Sequence, residues 1–282
     1  MLRLLVATDF SDNAAAAMRT ALLLGRSYTA EVIFLHAMDR PLVPATSPPE
    51  IYNSIYQAEQ QELEQRLQQQ VQELSQELDL RPREVLKSVQ ILPTPVALSV
   101  LQLISRRNIR LVIMGSSGVS GFKRLLMGSN TTEMIRLTPV PLLIVPGGYN
   151  FRGFQKITVV IRMKRFGNRP GLSILDRLSH TYSASVYFLF ILDEEDSEPE
   201  AVAFAQTEEL AKGLPHEVIT IRRRDKNEEL ERHLQKTRTD LLVWLPMPGG
   251  FWRDSMSESF TEEIAAEAGL PLLVIPHLKE DD

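Results

Sequence analysis

Apolar and polar positions along this chain follow two patterns, one typical of strands and one typical of helices, and the first half shows both. Short runs of Val, Ile and Leu favour buried strands, and longer stretches in which apolar residues recur every three or four positions favour helices. We predict strands at residues 2–8, 31–37, 85–91, 110–114 and 141–145, and helices near residues 12–28, 50–78, 95–107 and 130–137. This order predicts an α/β protein whose parallel sheet is covered by helices on both faces.

The second predicted helix, Tyr52–Leu78, is rich in glutamine and glutamate and carries one apolar stripe. The stripe consists of Leu63, Leu67, Val71, Leu74 and Leu78. Such a stripe is typical of a helix that packs on its own core. A coiled coil with a partner is the alternative, which the shortness of the stripe disfavours.

The strand and helix pattern begins again after a glycine-rich break at Gly147–Gly153. The evidence for an internal repeat lies at the ends of the two halves, where Pro141–Pro146 (PLLIVP) recurs as Pro271–Pro276 (PLLVIP). A chain of 282 residues is long enough for two ordinary domains. We predict a first domain at residues 1–147 and a second at residues 154–279.

A glycine-rich segment follows the fourth predicted strand. Gly115, Gly118 and Gly128 are spaced Gly-x2-Gly-x9-Gly, and Ser129 follows the last of them. We expect these glycines to let the backbone approach a ligand and to adopt positive φ. The helix that starts near Ser129 directs free amide groups and the positive end of its dipole at the same place. The spacing therefore predicts a phosphate-binding loop, and a mobile connection is the alternative.

The segment resembles the ATP-binding signature of the universal stress protein family, Gly-x2-Gly-x9-Gly-Ser/Thr, at every position. The opening strand Leu2–Ser11 (LRLLVATDFS), with its Thr-Asp-x-Ser ending, and Val32–Asp39 (VIFLHAMD) are also similar to that family. The resemblance covers residues 1–147. It implies two tandem five-stranded parallel-sheet sandwiches of the adenine nucleotide alpha hydrolase-like type, a Rossmann-like three-layer αβα architecture.

The resemblance implies ATP, ADP or AMP as the ligand, and the motif does not separate the three. A magnesium or manganese ion that bridges the phosphates is expected with the nucleotide. Asp9 would lie beside the adenosine, and its alternative role is a helix-capping turn with Ser11 and Asp12. The other implied contacts are Ala7 and Thr8 beside Asp9, Ala37 and Met114 at the adenine, Gly115, Ser117 and Gly118 at the ribose and α-phosphate, and Gly128, Ser129, Asn130 and Thr131 at the β- and γ-phosphates.

The second half keeps the pattern of strands but loses the motif. An ungapped alignment of the two halves places the three motif glycines on Leu245, Pro248 and Glu258. Glu258 would put a carboxylate where a phosphate should lie, and Pro248 removes an amide donor. We therefore expect no nucleotide in the second half. A shifted loop built on Gly249 and Gly250 is the alternative.

Composition excludes several classes of protein. Hydrophobic residues make up 44% of the chain and charged residues 24%, which is typical of a soluble globular protein. The net charge of −5 provides no basic surface for nucleic acid, and Arg222–Arg224 is interpreted as a solvated strand end. There is no cysteine for a disulfide or a zinc-thiolate site. Asp9 interrupts the apolar start, so we predict neither a signal peptide nor a spanning helix and expect a cytoplasmic protein.

The fifth predicted strand of each half is short and apolar, and such edges are sticky when exposed. The family resemblance implies that Pro141–Pro146 and Pro271–Pro276 meet within the chain as a pseudo-dimer. A homodimer of whole chains stays open. Neither nucleic acid nor a membrane is an expected partner.

For function we predict an ATP-binding regulatory module of the stress response, with the nucleotide held by the first half. No catalytic residue is assigned, because no pattern in the chain supplies a group that orients water for hydrolysis. A scaffold that binds no nucleotide is one alternative. A slow ATPase, or self-phosphorylation on Ser129 or Thr131, is the other.

Overall fold

The computed structural model of the chain describes residues 1–38, 48–116, 128–161, 169, 171–192, 201–222, 226–246 and 269–277. In the first half the elements are β1 Arg3–Ala7, α1 Asp12–Tyr28, β2 Glu31–Ala37, α2 Pro49–Glu77, β3 Leu86–Leu92, α3 Val96–Arg107, β4 Leu111–Gly115, α4 Ser129–Leu137 and β5 Leu142–Val145. In the second half they are β6 Lys156–Ile161, α5 Leu172–Thr181, β7 Ser185–Leu192, α6 Ala201–Leu210, β8 His216–Arg222, α7 Lys226–Thr237, β9 Leu241–Trp244 and β10 Leu272–Val274.

The strands and helices predicted for the first half are confirmed to within one residue at each end. Local chemistry explains such sharp boundaries. At the start of α1 the Ala14 amide donates to Ser11 Oγ (3.2 Å), which is the hydrogen bond of a helix N-cap. At its end Thr29 adopts the left-handed conformation with φ of 50°, which turns the chain out of the helix.

All ten strands lie in one sheet, in the order β3-β2-β1-β4-β5-β10-β9-β6-β7-β8. Neighbouring strands within each half run parallel. The α/β class with a dominantly parallel sheet is therefore confirmed. At the centre of the sheet β5 and β10 pair antiparallel, with Leu143 opposite Leu273. The four residues of β5 and the three of β10 are all buried.

Helices cover both faces of the sheet. Buried residues of α1, α2 and α5 pack on one face, and those of α3, α4 and α7 pack on the other. On α2 the apolar stripe is buried at Leu67, Val71 and Leu74, which confirms that this helix packs on its own core. No helix in the described ranges is long and apolar enough to cross a membrane.

The segment between the two halves packs into the core rather than standing free. Phe151 and Phe154 are buried, and their ring centroids lie 5.8 and 6.3 Å from that of Tyr182. The Tyr182 hydroxyl donates to Ser27 Oγ (3.1 Å). Because Ser27 belongs to α1 and Tyr182 follows α5, these contacts tie the helices of the two halves together.

Candidate functional site

A cavity of about 220 Å³ opens at the carboxyl ends of β1, β2 and β4, beside the first turns of α1, α3 and α4. This edge is where open parallel sheets bind their ligands. The cavity is lined by Ala7, Thr8, Asp9, Ser11, Asn13, Ala14, Leu35, Ala37, Val96, Met114, Gly115, Ser116, Asn130 and Thr131.

The cavity brings together most of the residues predicted from the sequence, namely Ala7, Thr8, Asp9, Ala37, Met114, Gly115, Asn130 and Thr131. Gly128 and Ser129 stand at the start of α4, directly before Asn130, but do not line the cavity. Ser117 and Gly118 lie outside the described residues, so their roles stay predictions.

Sequence reasoning missed other lining residues: Ser11, Asn13, Ala14, Leu35, Val96 and Ser116. For Leu35 a signal existed, because it stands two positions before Ala37 and alternate residues of a strand share a face. The residues from α1 and α3 required knowledge of how those helices meet the sheet. The buried Ser116 hydroxyl has no hydrogen-bond partner among the described residues.

Gly115 is required by the approach of α1. A Cβ atom at this position would lie 2.7 Å from the backbone oxygen of Asn13, closer than real Cβ contacts. The expectation of positive φ was wrong for both motif glycines that the structure describes. Gly115 is not among the residues with positive φ, and Gly128 has φ of −67°. Gly115 therefore provides space for the first turn of a helix, not a left-handed backbone.

The first amide groups of α4 have no hydrogen-bond acceptor within the helix or from a capping side chain among the described residues. Gly128 is the N-cap residue, and no side chain makes a capping hydrogen bond there. Ser129 and Asn130 are exposed, whereas Thr131 is buried and its hydroxyl donates to the Gly115 carbonyl (3.3 Å). An anion at this helix start would satisfy amide groups that the helix itself cannot.

The turn between β1 and α1 is held by local hydrogen bonds. The Phe10 amide donates to Thr8 Oγ1 (3.1 Å), and the Ser11 amide donates to Asp9 Oδ1 (3.0 Å). The capping-turn role considered for Asp9 is thus present, while the residue also lines the cavity. His36 lies on the face of β2 opposite to Leu35 and Ala37, which line the cavity. Its Nδ1 contacts the Thr8 carbonyl oxygen (2.8 Å). Since a carbonyl oxygen only accepts, Nδ1 is the donor.

Comparison with known proteins gives the family of the chain. The model of the universal stress protein family matches residues 1–146, just over half of the chain. The chain belongs to the universal stress protein family. Universal stress proteins of Methanocaldococcus jannaschii and Bacillus subtilis (YxiE) are 25% and 26% identical to it over 146 and 147 residues, or 51% of the chain in each case, and these matches cover 81% and 97% of the relatives.

Solved structures extend the likeness to the whole chain at the level of fold. A universal stress protein from Archaeoglobus fulgidus superposes with a TM-score of 0.70 at 14% identity, covering 98% of both chains. A functionally unknown protein from Pseudomonas aeruginosa gives a TM-score of 0.59 at 14% identity, covering 98% of this chain and 92% of its own. Membership of the universal stress protein family makes this a protein of the stress-response class with a fold of the nucleotide-binding type.

In this universal stress protein the second half fills the space that the first half leaves open. The strand pairings show that Ala7, Ala37 and Gly115 have Val160, Ile191 and Leu245 at their equivalent positions. Met114 has Trp244 as its equivalent. All four second-half side chains are buried, which means that larger residues occupy the region equivalent to the cavity: Val160, Ile191, Trp244 and Leu245.

Arg169 closes the same edge of the second half. Its side chain is 4% exposed, and burial lowers the pKa of Arg169 to about 10. The guanidinium donates to the carbonyl oxygens of Ile275 (2.7 Å) and Pro246. In the first half Val145 is the equivalent of Ile275, and its carbonyl accepts from the Ser116 amide (2.8 Å). Pro246 has no amide hydrogen, and the arginine supplies the missing donor.

The described residues contain no group of three or more His, Asp or Glu side chains that could hold a metal ion. The charged side chain in the cavity wall is Asp9, and it is exposed. The cavity therefore offers one carboxylate, amide groups at a helix start and an apolar wall.

Proposed function

We propose that the first half of this chain binds an adenine nucleotide, ATP, ADP or AMP, and works as a nucleotide-responsive regulatory module in the stress response. The observation that carries the proposal is the cavity itself. Eight of the twelve positions that the family resemblance assigns to the nucleotide line one space, at the ends of three strands and the start of α4. Family membership supports the same ligand class, since some universal stress proteins bind adenine nucleotides.

The phosphates would bind at the start of α4. No side chain caps this helix, so an anion can accept hydrogen bonds from the amides of Ser129 and Asn130. Thr131 would contribute through its backbone amide, because its hydroxyl is buried and already donates to Gly115. A bridging magnesium or manganese ion would take its ligands largely from the phosphates, given that the described residues form no acidic cluster.

The adenosine would bind at the ends of β1, β2 and β4. Asp9 presents a carboxylate that can accept hydrogen bonds from ribose hydroxyls. Ala37 leaves room for a flat ring, and Met114 is an adaptable apolar side chain against which such a ring can pack. The cavity wall thus offers apolar contacts for a base and a carboxylate for the ribose.

We further propose two domains, residues 1–147 and residues 154–279, of which the second is a degenerate copy that does not hold nucleotide. The larger side chains at Ile191 and Leu245 support this division of labour. The antiparallel pairing of β5 with β10 supports a pseudo-dimer within the chain. In this proposal the second domain covers the edge strand of the first.

We propose a binding role in preference to a catalytic one. Of the two candidate sites of self-phosphorylation, Ser129 and Thr131, the latter is 1% exposed and its hydroxyl is hydrogen-bonded. Ser129 is exposed and is the acceptor on which the enzymatic alternative depends. Phosphate release and labelling of Ser129 on incubation with ATP would favour that alternative.

Calorimetric titration with Mg-ATP tests the proposal, using two variants of Gly128. Its φ of −67° is open to any residue, so neither variant strains the backbone. Gly128→Glu places a carboxylate at the start of α4, where repulsion of a phosphate at about 4 Å amounts to about 4 kcal/mol at an effective dielectric constant of about 20. We expect affinity to fall at least about a hundredfold.

Gly128→Gln is the matched control, because it has nearly the same volume without the charge. We expect it to retain affinity within about tenfold of the unchanged protein. If the unchanged protein gives no heat with Mg-ATP, ADP or AMP, the scaffold alternative becomes the better account. Equal losses in the two variants would show that bulk, not charge, decides binding at this position.

A further inference from the structure

Three side chains, those of Arg66, Phe10 and His36, form a stack outside the cavity. Phe10 belongs to the turn that joins β1 to α1. The Arg66 guanidinium carbon of α2 lies 4.1 Å from the centroid of the Phe10 ring. The Phe10 ring centroid lies 4.5 Å from that of His36. None of the three residues lines the cavity. The stack therefore connects α2 to the cavity wall without itself facing a ligand.

Phe10 is held in a conformation that phenylalanine rarely adopts. Its φ is 65°, in the left-handed region that favours glycine, and bulky residues stay there only when their surroundings hold them. Two kinds of contact hold Phe10. The ring contacts both Arg66 and His36, and the Phe10 amide donates to Thr8 Oγ1 (3.1 Å).

The strained residue stands between residues that face the cavity. Thr8, Asp9 and Ser11 line the cavity on either side of Phe10. The position of the Asp9 carboxylate depends on the turn, because the Ser11 amide donates to Asp9 Oδ1 (3.0 Å). If Phe10 relaxed to negative φ, the backbone on both sides would rotate and Asp9 would move.

We propose that Arg66 is a positioning residue of the nucleotide site: through its contact with the Phe10 ring it keeps the Thr8–Ser11 turn in the shape that presents Asp9 to the nucleoside. This inference rests on the proposed nucleotide binding. It adds that Arg66 of α2, which does not line the cavity, contributes to the affinity for nucleotide. Binding and the packing of α2 on Phe10 are consequently coupled in both directions.

The decisive experiment is a cycle of variants titrated calorimetrically with Mg-ATP and with AMP. A cation over an aromatic ring at an exposed site supports about a two- to fivefold effect, so we expect Arg66→Ala to weaken both nucleotides by about that factor. Arg66→Lys keeps a cation over the ring and should restore most of the affinity. The two nucleotides should respond equally because the turn contacts the nucleoside and not the phosphates.

Phe10→Gly supplies the test that a merely structural arginine would fail. Glycine adopts a φ of 65° without strain, so Arg66→Ala should have no further effect on affinity in the Phe10→Gly background. Arg19→Ala is the matched control. Arg19 of α1 forms an ion pair with Glu77 of α2 (2.8 Å), away from the turn, and its loss should leave affinity unchanged.

Each outcome bears on one claim. If the unchanged protein binds ATP and Arg66→Ala binds it equally well, the positioning role is wrong while the proposed function stands. An equal loss from Arg66→Ala with Phe10 in place and in the Phe10→Gly background also overturns it, because the effect would then not pass through the ring. If the unchanged protein binds neither nucleotide, it is the proposed function that fails.

Discussion

The two halves of this chain build the same strands and put different side chains at the carboxyl edge. In the first half small residues such as Ala37 and Gly115 leave a cavity between the strand ends and the helix starts. In the second half the equivalent positions hold Ile191 and Leu245, both buried. A cleft and a packed core can therefore be exchanged by side-chain volume at a few strand ends, while the sheet is retained.

Gly115 and Leu245 also differ in what can pack on them. The first turn of α1 packs directly on Gly115, where a side chain would meet the Asn13 backbone. Leu245 leaves no such room. In the second half the described part of α5 is Leu172–Thr181, and Arg169 stands before it, outside the helix. Among the described residues, the Arg169 side chain lies at these strand ends, where its guanidinium donates to the Pro246 and Ile275 carbonyls.

The largest effects are expected when the side chains of the equivalent residues Ala37 and Ile191 are exchanged. Ile191→Ala should lower the free energy of unfolding by about 2–5 kcal/mol, because it leaves a cavity in a packed region. Ala37→Ile should weaken nucleotide binding at least about fivefold, because the larger side chain intrudes on the cavity with an overpacking cost of about 1–3 kcal/mol. Urea unfolding and calorimetric titration measure the two effects.

Ala37→Ser controls for the exchange, since it changes polarity with little change in volume and should keep most of the affinity. Unaltered ATP affinity in Ala37→Ile would show that the nucleotide does not use this part of the cavity. A negligible stability loss in Ile191→Ala would contradict the filled-core account of the second half.

The next effect concerns the arginine that closes the second half. Arg169→Met should lower the free energy of unfolding by about 3 kcal/mol, because the Ile275 and Pro246 carbonyls lose a donor in a buried place. Pro246→Ser would restore an amide at the position equivalent to Ser116. The Arg169→Met loss should therefore be smaller in the Pro246→Ser background. Additive losses in urea unfolding would mean that the arginine does not replace that amide.

The smallest effect is the pH dependence that His233 of the second half gives to stability. His233 Nε2 lies 3.1 Å from the Thr158 hydroxyl, whereas the first half has Leu103 at the position equivalent to His233. Burial lowers the pKa of His233, and the nearby Glu217 and Lys236 act on it in opposite directions to a lesser extent.

The sign of this effect follows from which state binds the proton. Because the folded pKa of His233 lies below its ordinary value, the unfolded chain takes up the proton first as pH falls. Its stabilising contribution is present above about pH 6.5 and is lost on acidification. Urea unfolding at pH 7 and about pH 5 should show a smaller loss for His233→Leu than for the unchanged protein. Identical losses would rule out His233 as the group responsible.

The chain's own pattern predicts the first half well because its signals are local. The bounds of α1 follow from Ser11 as a cap and from apolar residues recurring on one face, and β2 follows from an unbroken apolar run. The motif spacing also places Met114, Gly115 and Asn130 near one another, since a strand end and the next helix start must meet.

What the sequence could not predict depends on contacts between distant residues. Glycine at position 115 is compatible with positive φ or with a close approach, and only the position of Asn13 decides for the second. Arg169 reaches carbonyls that lie 77 and 106 residues further along the chain. The stack of Arg66 on Phe10 likewise joins α2 to a turn through packing that no local pattern encodes.

Equilibrium dialysis against labelled Mg-ATP, with sites counted per chain, tests the central claim most directly. The account predicts a single site in the unchanged protein, retained in Gly128→Gln and lost in Gly128→Glu. Two sites per chain would contradict the closed second half. A single site that survives Gly128→Glu would place the nucleotide elsewhere, and no site at all would contradict nucleotide binding by this chain.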